Sequence, residues 1–309
     1  MVDVTPRVSV VLPTFQRPDL LARAIDSVQA QTFEDWELIV VDDNDPTHAD
    51  SARTADTLAF FASDHRIVLV GHATHRGGAA ARNAGIRLAR APWIAFLDDD
   101  DEWHPEKLER QLAVAESVGA DVALVYCKIR VRHAFATSVR PFTEHAPEGR
   151  LRGLLRRNYI GSTSCVLCRT SALHAIGLFD ENLASRQDVD LYVRLAKRYD
   201  FATVDEPLIT THLHGAARIS TDLDARVRGH RRFLRKHRRL LEVDPRALQM
   251  RLNEFGRLLL ASGRLREARA ALGRAWRLEV RDIPALRGLL MTYPTVRRLR
   301  ESFSRRWPA

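Results

Sequence analysis

The sequence predicts an α/β protein, with a mainly parallel sheet flanked by helices and an all-helical extension at its C-terminal end. Three observations predict it. Short apolar runs alternate with helical patterns, acidic or polar residues follow several of those runs, and only helical patterns remain beyond about residue 222. Strands alternating with helices through short loops form right-handed βαβ units, so the polar residues after successive strands should converge on one sheet edge. The expected domains are residues 1–222 and 223–309.

Taken in order, Val8 to Leu12 is a β-rich run stopped by Pro13. Pro18 then opens a helix in which Leu20, Leu21, Ala24, Ile25 and Val28 recur at three- and four-residue steps. Trp36 to Val41 is a second strand, ending in Asp42-Asp43-Asn44-Asp45, and Ile67 to Val70 is a third, ending in Gly71. Gly77-Gly78 leads into a helix of small residues, Ala79 to Ala91. After Pro92, Trp93 to Leu97 has no helical stripe and reads as a strand buried on both faces. It runs straight into Asp98-Asp99-Asp100-Asp101. Pro105 starts a further helix, and Asp121 to Val131 is a fifth strand.

Residues 133–149 show no periodicity and read as a loop. A short helix near 150–157, a strand near 164–168, a helix from Asp188 to Arg198, and strands at Phe201–Val204 and Leu208–Thr211 follow. Further on, Leu258-Leu259-Leu260, Gly263 and then Ala268, Ala271, Leu272 and Ala275 read as a helix pair with small residues at its crossing. Val296 to Trp307 is basic with sparse apolar residues, compatible with a helix lying on a membrane surface.

Composition narrows the function classes. Hydrophobic residues make up 45% of the 309 and charged residues 28%, as in ordinary globular proteins. No run reaches the ~18 apolar residues of a membrane span, and the N-terminus lacks the pattern of a secretory leader, so the expected location is cytoplasmic. Three cysteines are too few for a disulfide framework; Cys165 and Cys168, spaced C-x-x-C inside a strand pattern, are expected to be buried small hydrophobes. The net charge of +9 is unevenly held: residues 225–309 carry 23 Lys and Arg against 7 Asp and Glu, and residues 1–224 carry 25 against 32. Such a basic tail suits an anionic membrane surface or nucleic acid, or is a solvated helix face. Without a stacking motif, and with aromatics at only 7%, nucleic acid is not expected.

The residues with chemistry lie at the strand ends. Four adjacent carboxylates repel one another, and oxygen-rich clusters of this kind hold hard cations such as Mg²⁺ or Mn²⁺; an acidic run is also read as a solvated turn. Asp43 closes the second strand, where a carboxylate accepts a hydrogen bond from a base N–H or caps the next turn. Arg82 and Asn83 lie early on the helix after Gly77-Gly78, a setting that favours an anion or simply close helix–sheet packing. Asp188 opens a helix as a first-turn carboxylate. Asp190 lies two positions on, off that face, and is expected to hold Arg194 at i+4.

The motifs Val8-Ser9-Val10-Val11-Leu12-Pro13-Thr14-Phe15, Val40-Val41-Asp42-Asp43, Gly78 to Gly85, Phe96-Leu97-Asp98-Asp99-Asp100-Asp101 and Gln187-Asp188-Val189-Asp190-Leu191 occur in this order and spacing. Together they make residues 7–222 resemble the family 2 glycosyltransferases. The resemblance implies a Rossmann-like GT-A fold and inverting transfer from a nucleotide-diphosphate sugar (UDP-, dTDP- or GDP-linked) to a saccharide or lipid-linked acceptor in cell-surface polysaccharide synthesis. It implies that Asp43 reads the base beside the Pro13-Thr14-Phe15 turn, that Arg82 and Asn83 contact the nucleotide, and that Asp98 and Asp99 sit near ribose or water. Asp100 and His214 are implied as ligands of Mg²⁺ or Mn²⁺, and Asp188 as the base. His212 and His214 flank Leu213 after the last strand and read equally as loop histidines. Rival classes are a sugar-phosphate nucleotidyltransferase, against which the glycine-free loop Pro13 to Arg17 argues, and a non-catalytic nucleotide-sugar or nucleic-acid binder. The basic helices suggest peripheral docking on the inner face of the plasma membrane.

Overall fold

A computed structural model describes residues 5–132, 137–139, 149–212, 222–279 and 283–293. The chain clusters into two units. The first comprises Met1–Glu144, Tyr159–Asn182 and Gln187–Ala216; the second comprises His145–Asn158, Leu183–Arg186 and Ala217–Ala309.

The first unit carries the sheet. In chain order it contains β1 (Val8–Thr14), α1 (Pro18–Gln29), β2 (Trp36–Asp42), α2 (Ala49–Ala59), β3 (Ile67–Gly71), α3 (Gly78–Leu88), β4 (Trp93–Phe96) and β5 (Asp101–Trp103). Then come α4 (Lys107–Ser117), β6 (Val122–Arg132) and β7 (Thr137–Val139). The second unit contributes α5 (Arg150–Arg156), and the chain returns to the first with β8 (Val166–Arg169), α6 (Thr170–Ala175), α7 (Gln187–Ala196) and β9 (Asp200–His212).

The strand order is β3-β2-β1-β4-β8-β6-β9-β5, with β7 paired to β6. It is parallel from β3 to β4, turns antiparallel where β8 lies between β4 and β6, and is parallel again between β6 and β9. Every residue of β4 is buried, and so are Val8, Val10, Val11 and Leu12 of β1, as expected of central strands covered on both faces. Because β1 lies between β2 and β4, the loops after Thr14, Asp42 and Phe96 leave the sheet side by side.

Several elements differ from expectation. The short strand β5 starts within the acidic run, at Asp101, and pairs antiparallel with the end of β9. Two strands were expected at Phe201–Val204 and Leu208–Thr211; they are one strand, whose register against β6 shifts beside Pro207 because proline cannot donate to the ladder. The helix α2, absent from the sequence reading, buries only Thr54 and Leu58 and has no apolar stripe to announce it.

The second unit also holds α8 (Leu223–Lys236), α9 (Arg238–Glu242), α10 (Pro245–Ala261), α11 (Leu265–Leu278) and α12 (Ile283–Leu290). The expected helix pair is α10 and α11, turning at Gly263, whose φ of +75° suits glycine. At their crossing a Cβ on Gly256 would lie 2.5 Å from Leu272 Cγ, so only glycine permits this approach. Val227, Phe255, Leu258, Leu259, Ala268 and Ala271 form its core. Arg251, 3% exposed, donates to the carbonyls of Leu154 and Leu155 at 2.6 and 2.7 Å, which ties α5 to α10. No described helix is long and apolar enough to cross a membrane. The basic segment expected at Val296 to Trp307 lies outside the described residues.

Candidate active site

The loop that closes β1 and the aspartates that follow β4 meet directly. Thr14 Oγ1 and the Phe15 backbone N–H donate to Asp99 Oδ2 at 3.1 and 3.4 Å, and Arg17 Nη1 donates to Asp99 Oδ1 at 2.9 Å. Arg17 also reaches Asp100 Oδ2 at 3.3 Å. Asp99 is only 4% exposed; burial pushes its carboxyl up to about 6, with Arg17 opposing that rise and Asp100 adding to it. Burial works against the Arg17 charge as well, but Asp99 and Asp100 outweigh it and raise that guanidinium. Arg17 is thus a site residue that the sequence reading did not single out. Its signal was a cation one residue before the helix-opening proline, on the loop next to an acidic strand end.

Asp98 faces the other way. Its backbone N–H donates to Ser164 Oγ at 3.0 Å, its carboxylate pairs with Arg82 Nη2, and Thr163 Oγ1 donates to it at 3.3 Å. Arg82 sits on the first turns of α3, where its Nη1 also contacts Gly78 O at 3.2 Å and Gln187 Oε1 at 3.4 Å. Burial opposes the Arg82 charge, yet Asp98 and then Asp188 hold the guanidinium above its ordinary value. Asp98 and Asp188, 90 residues apart in the chain, therefore act on the same cation. Asp188 is half-buried in the first turn of α7; Asp190 is fully buried and accepts from Arg194 Nε at 2.8 Å, the structural role expected of it.

Asp43 and Asn83 hold backbone in place. The Asp43 carboxylate, 2% exposed, accepts from the N–H groups of Arg76 and Gly77 at 2.9 and 2.8 Å, and meets His72 Nδ1 and His75 Nδ1 at 2.7 and 3.0 Å. It thereby fixes the start of α3, where Gly77 has a φ of +89°. His75 stacks on Phe15 with ring centroids 3.9 Å apart, so Asp43 is linked through two rings to the loop that binds Asp99. The Asn83 carboxamide donates to Phe179 O at 3.0 Å and Glu181 Oε1 at 2.9 Å and accepts from Phe179 N at 2.9 Å. These bonds fix α3 to the segment before α7. Both side chains are engaged with the chain itself. Pro13, at the end of β1, pairs in register with Val41 of β2.

Asp101 lies on the buried face of β5, 2% exposed, and its Oδ1 has no hydrogen-bond partner. Burial, then the charges of Asp98 and Asp100, push its carboxyl up to about 7. Among the described residues no three His, Cys, Asp or Glu side chains are gathered as a metal-binding group. The chemistry of the donor set nevertheless fits a hard divalent cation: it is all carboxylate oxygen and keeps one buried oxygen, Asp101 Oδ1, without a hydrogen bond. His214 lies outside the described residues. His212 ends β9 and pairs with Glu102 at 2.8 Å. Cys165 and Cys168 are fully buried, and burial pushes both thiols up, consistent with a packing role.

This fold, with its acidic loop between a parallel and an antiparallel half-sheet, is of the GT-A class of glycosyltransferases. TarS residues 1–349 from S. aureus, solved with UDP-GlcNAc, shares this fold with a TM-score of 0.66 at 17% identity, over 96% of this chain and 92% of that one. The mannosyltransferase PcManGT from Pyrobaculum calidifontis, solved with GDP-Man and Mn²⁺, gives 0.56 at 20% identity, over 96% and 84%. In sequence, the putative colanic acid biosynthesis glycosyl transferase WcaA of Escherichia coli K12 is 30% identical over 239 residues, 75% of this chain and 82% of WcaA. The profile of glycosyl transferase family 2 matches residues 9–177. The chain belongs to glycosyl transferase family 2, and it is a glycosyltransferase.

Proposed function

We propose that this enzyme moves a sugar from a nucleotide-diphosphate sugar to a hydroxyl of a saccharide or lipid-linked acceptor, with inversion and with Asp188 as the base. The observation that carries this reading is Arg82, a mostly buried cation that pairs with Asp98 and whose charge Asp188 also favours. A diphosphate lying along α3 meets that guanidinium and the helix N-terminus. Asp188 then takes the proton of the acceptor hydroxyl as its oxygen bonds to the anomeric carbon and the bond from that carbon to the diphosphate breaks. A single displacement inverts the centre. Asp100 would hold Mg²⁺ or Mn²⁺, whose charge would neutralise the departing diphosphate, with Asp98 and Asp99 near ribose or water. The donors in the two solved relatives and the colanic acid assignment of WcaA support a nucleotide sugar and a cell-surface polysaccharide.

The test is Asp188→Asn. Turnover of a nucleotide sugar should fall by about 10²–10⁴-fold while UDP binding persists, as read by nucleotide release and by calorimetry. Near-normal turnover would remove Asp188 from the base role, and retention of configuration in the product, read by NMR, would remove the single displacement.

We also propose peripheral membrane docking through α12 and its surroundings, where Leu286, Leu290 and Tyr293 are exposed beside Arg287. The protein should float with vesicles containing anionic lipid and lose that binding in high salt. Equal flotation with neutral vesicles would contradict an electrostatic contribution.

A further inference from the structure

A cavity of about 420 Å³ opens beside the strand that follows the aspartates. Its walls come from β5, β9, β6 and Thr137 of β7. Alternation along β5 buries Asp101 and Trp103 on one face and leaves Glu102 on the other. Glu102 is opposite Thr210 of β9, and Thr210 is opposite Arg130 of β6, so the three form one row. Two residues on, Arg132 lies opposite His212 on the same face. Ile129 and Val131, between and beside these arginines, point into the core.

Charge sets the cavity's chemistry. Arg130 and Arg132 are both exposed, both line the cavity, and neither guanidinium has an ion-pair or hydrogen-bond partner among the described residues. Elsewhere in this unit arginines on loops and helices are paired, as Arg17, Arg66, Arg76 and Arg82 are. The acid on the wall, Glu102, is taken by His212 at 2.8 Å and does not pair with either arginine. Two guanidinium groups two residues apart on a strand (~7 Å), unpaired among the described residues, match an oxyanion approached from solvent.

We infer that this cavity is an anion subsite for the acceptor, taking a carboxylate or phosphate group of an acidic saccharide or phosphate-bearing acceptor through Arg130 and Arg132. This rests on the transferase reading, because the cavity is walled by the strand that directly follows the aspartates assigned to the donor. A second substrate held there stays apart from the donor diphosphate and its Arg82 contact. The arginines position the acceptor and take no part in bond making, so their loss weakens acceptor binding and leaves donor binding untouched.

The experiment uses the full chain with saturating UDP, which occupies the donor site. Calorimetric titration compares tetragalacturonate, glycerol 1-phosphate and the uncharged tetrasaccharide maltotetraose. A charged probe should bind and maltotetraose should not; whichever charged probe binds more tightly identifies the source as sugar acid or phosphate. The Arg130→Ala, Arg132→Ala double variant should lose about tenfold or more of that affinity, and the corresponding double lysine variant should keep part of it. UDP binding and the melting temperature should be unchanged, which confirms that the variant is folded. Equal binding of charged and neutral probes, no binding of either charged probe, or full affinity in the alanine variant would overturn the inference. UDP binding without charged-probe binding removes this subsite alone, whereas arginine-dependent probe binding without UDP binding removes the donor reading and keeps the cavity.

Discussion

Lys107 is fully buried, its ammonium has no hydrogen-bond partner, and it sits 3.9 Å above the Trp103 ring. Burial pulls it down to about 8, against an ordinary lysine value of 10.5. The folded state thus holds this proton less tightly than the unfolded chain. The penalty is complete below about pH 8 and is relieved as pH rises toward 10.5. Lys107→Met, which nearly conserves volume, should therefore stabilise the protein at pH 7 by roughly 1–3 kcal/mol in urea denaturation, the ring contact offsetting part of the gain. The advantage should shrink on titration to pH 10; a variant less stable at pH 7 would show that the ring contact dominates. Asn83 behaves in the opposite sense. Asn83→Ala strands the Phe179 N–H and C=O in a buried place and should cost about 1–3 kcal/mol. If Asn83 instead served a ligand alone, stability would hold and only UDP affinity would drop.

Helix α3 lies against β1 because Gly85 has no side chain: a Cβ there would stand 2.4 Å from Val11 Cγ1. Gly85→Ala should destabilise by about 1–3 kcal/mol, and Val11→Ala should recover part of that loss in the double variant, measured by denaturant titration. Elements of this sort were legible in the sequence. The strands β1, β2, β4 and β6 announce themselves as apolar runs, and the motifs single out Asp98, which pairs with Arg82, and Asp188, whose charge also acts on Arg82. What was not legible depends on distant partners. Three residues, Asp101 to Trp103, form a strand only because the end of β9 is there to pair with them. Asp43 closes β2 as read, yet nothing local says that the chain from His72 to Gly77 folds back onto its carboxylate. Arg17 has no motif of its own, and its value comes from β1 and β4 being adjacent.

At the scale of the whole molecule, the two units have separate cores, the first built on the sheet and the second on α10 packed against α11. Gly256→Ala, which forces Leu272 to move, should lower the melting of the helical unit while UDP affinity in the first unit stays the same. A parallel loss of UDP affinity would mean that the helices support the donor site. The acidic first unit and the basic tail were both visible in charge alone, whereas the addition of His145–Asn158 and Leu183–Arg186 to the second unit was not, since it depends on partners far along the chain, such as Arg251 on the carbonyls of Leu154 and Leu155.

The chain's three cysteines, Cys127, Cys165 and Cys168, all belong to the first unit and all have no accessible surface. A thiol reagent added to the native enzyme therefore finds nothing to modify until the sheet itself opens. Labelling kinetics thus become a built-in clock for that opening, blind to fraying of the helical unit, and a nucleotide seated over the aspartates should slow it.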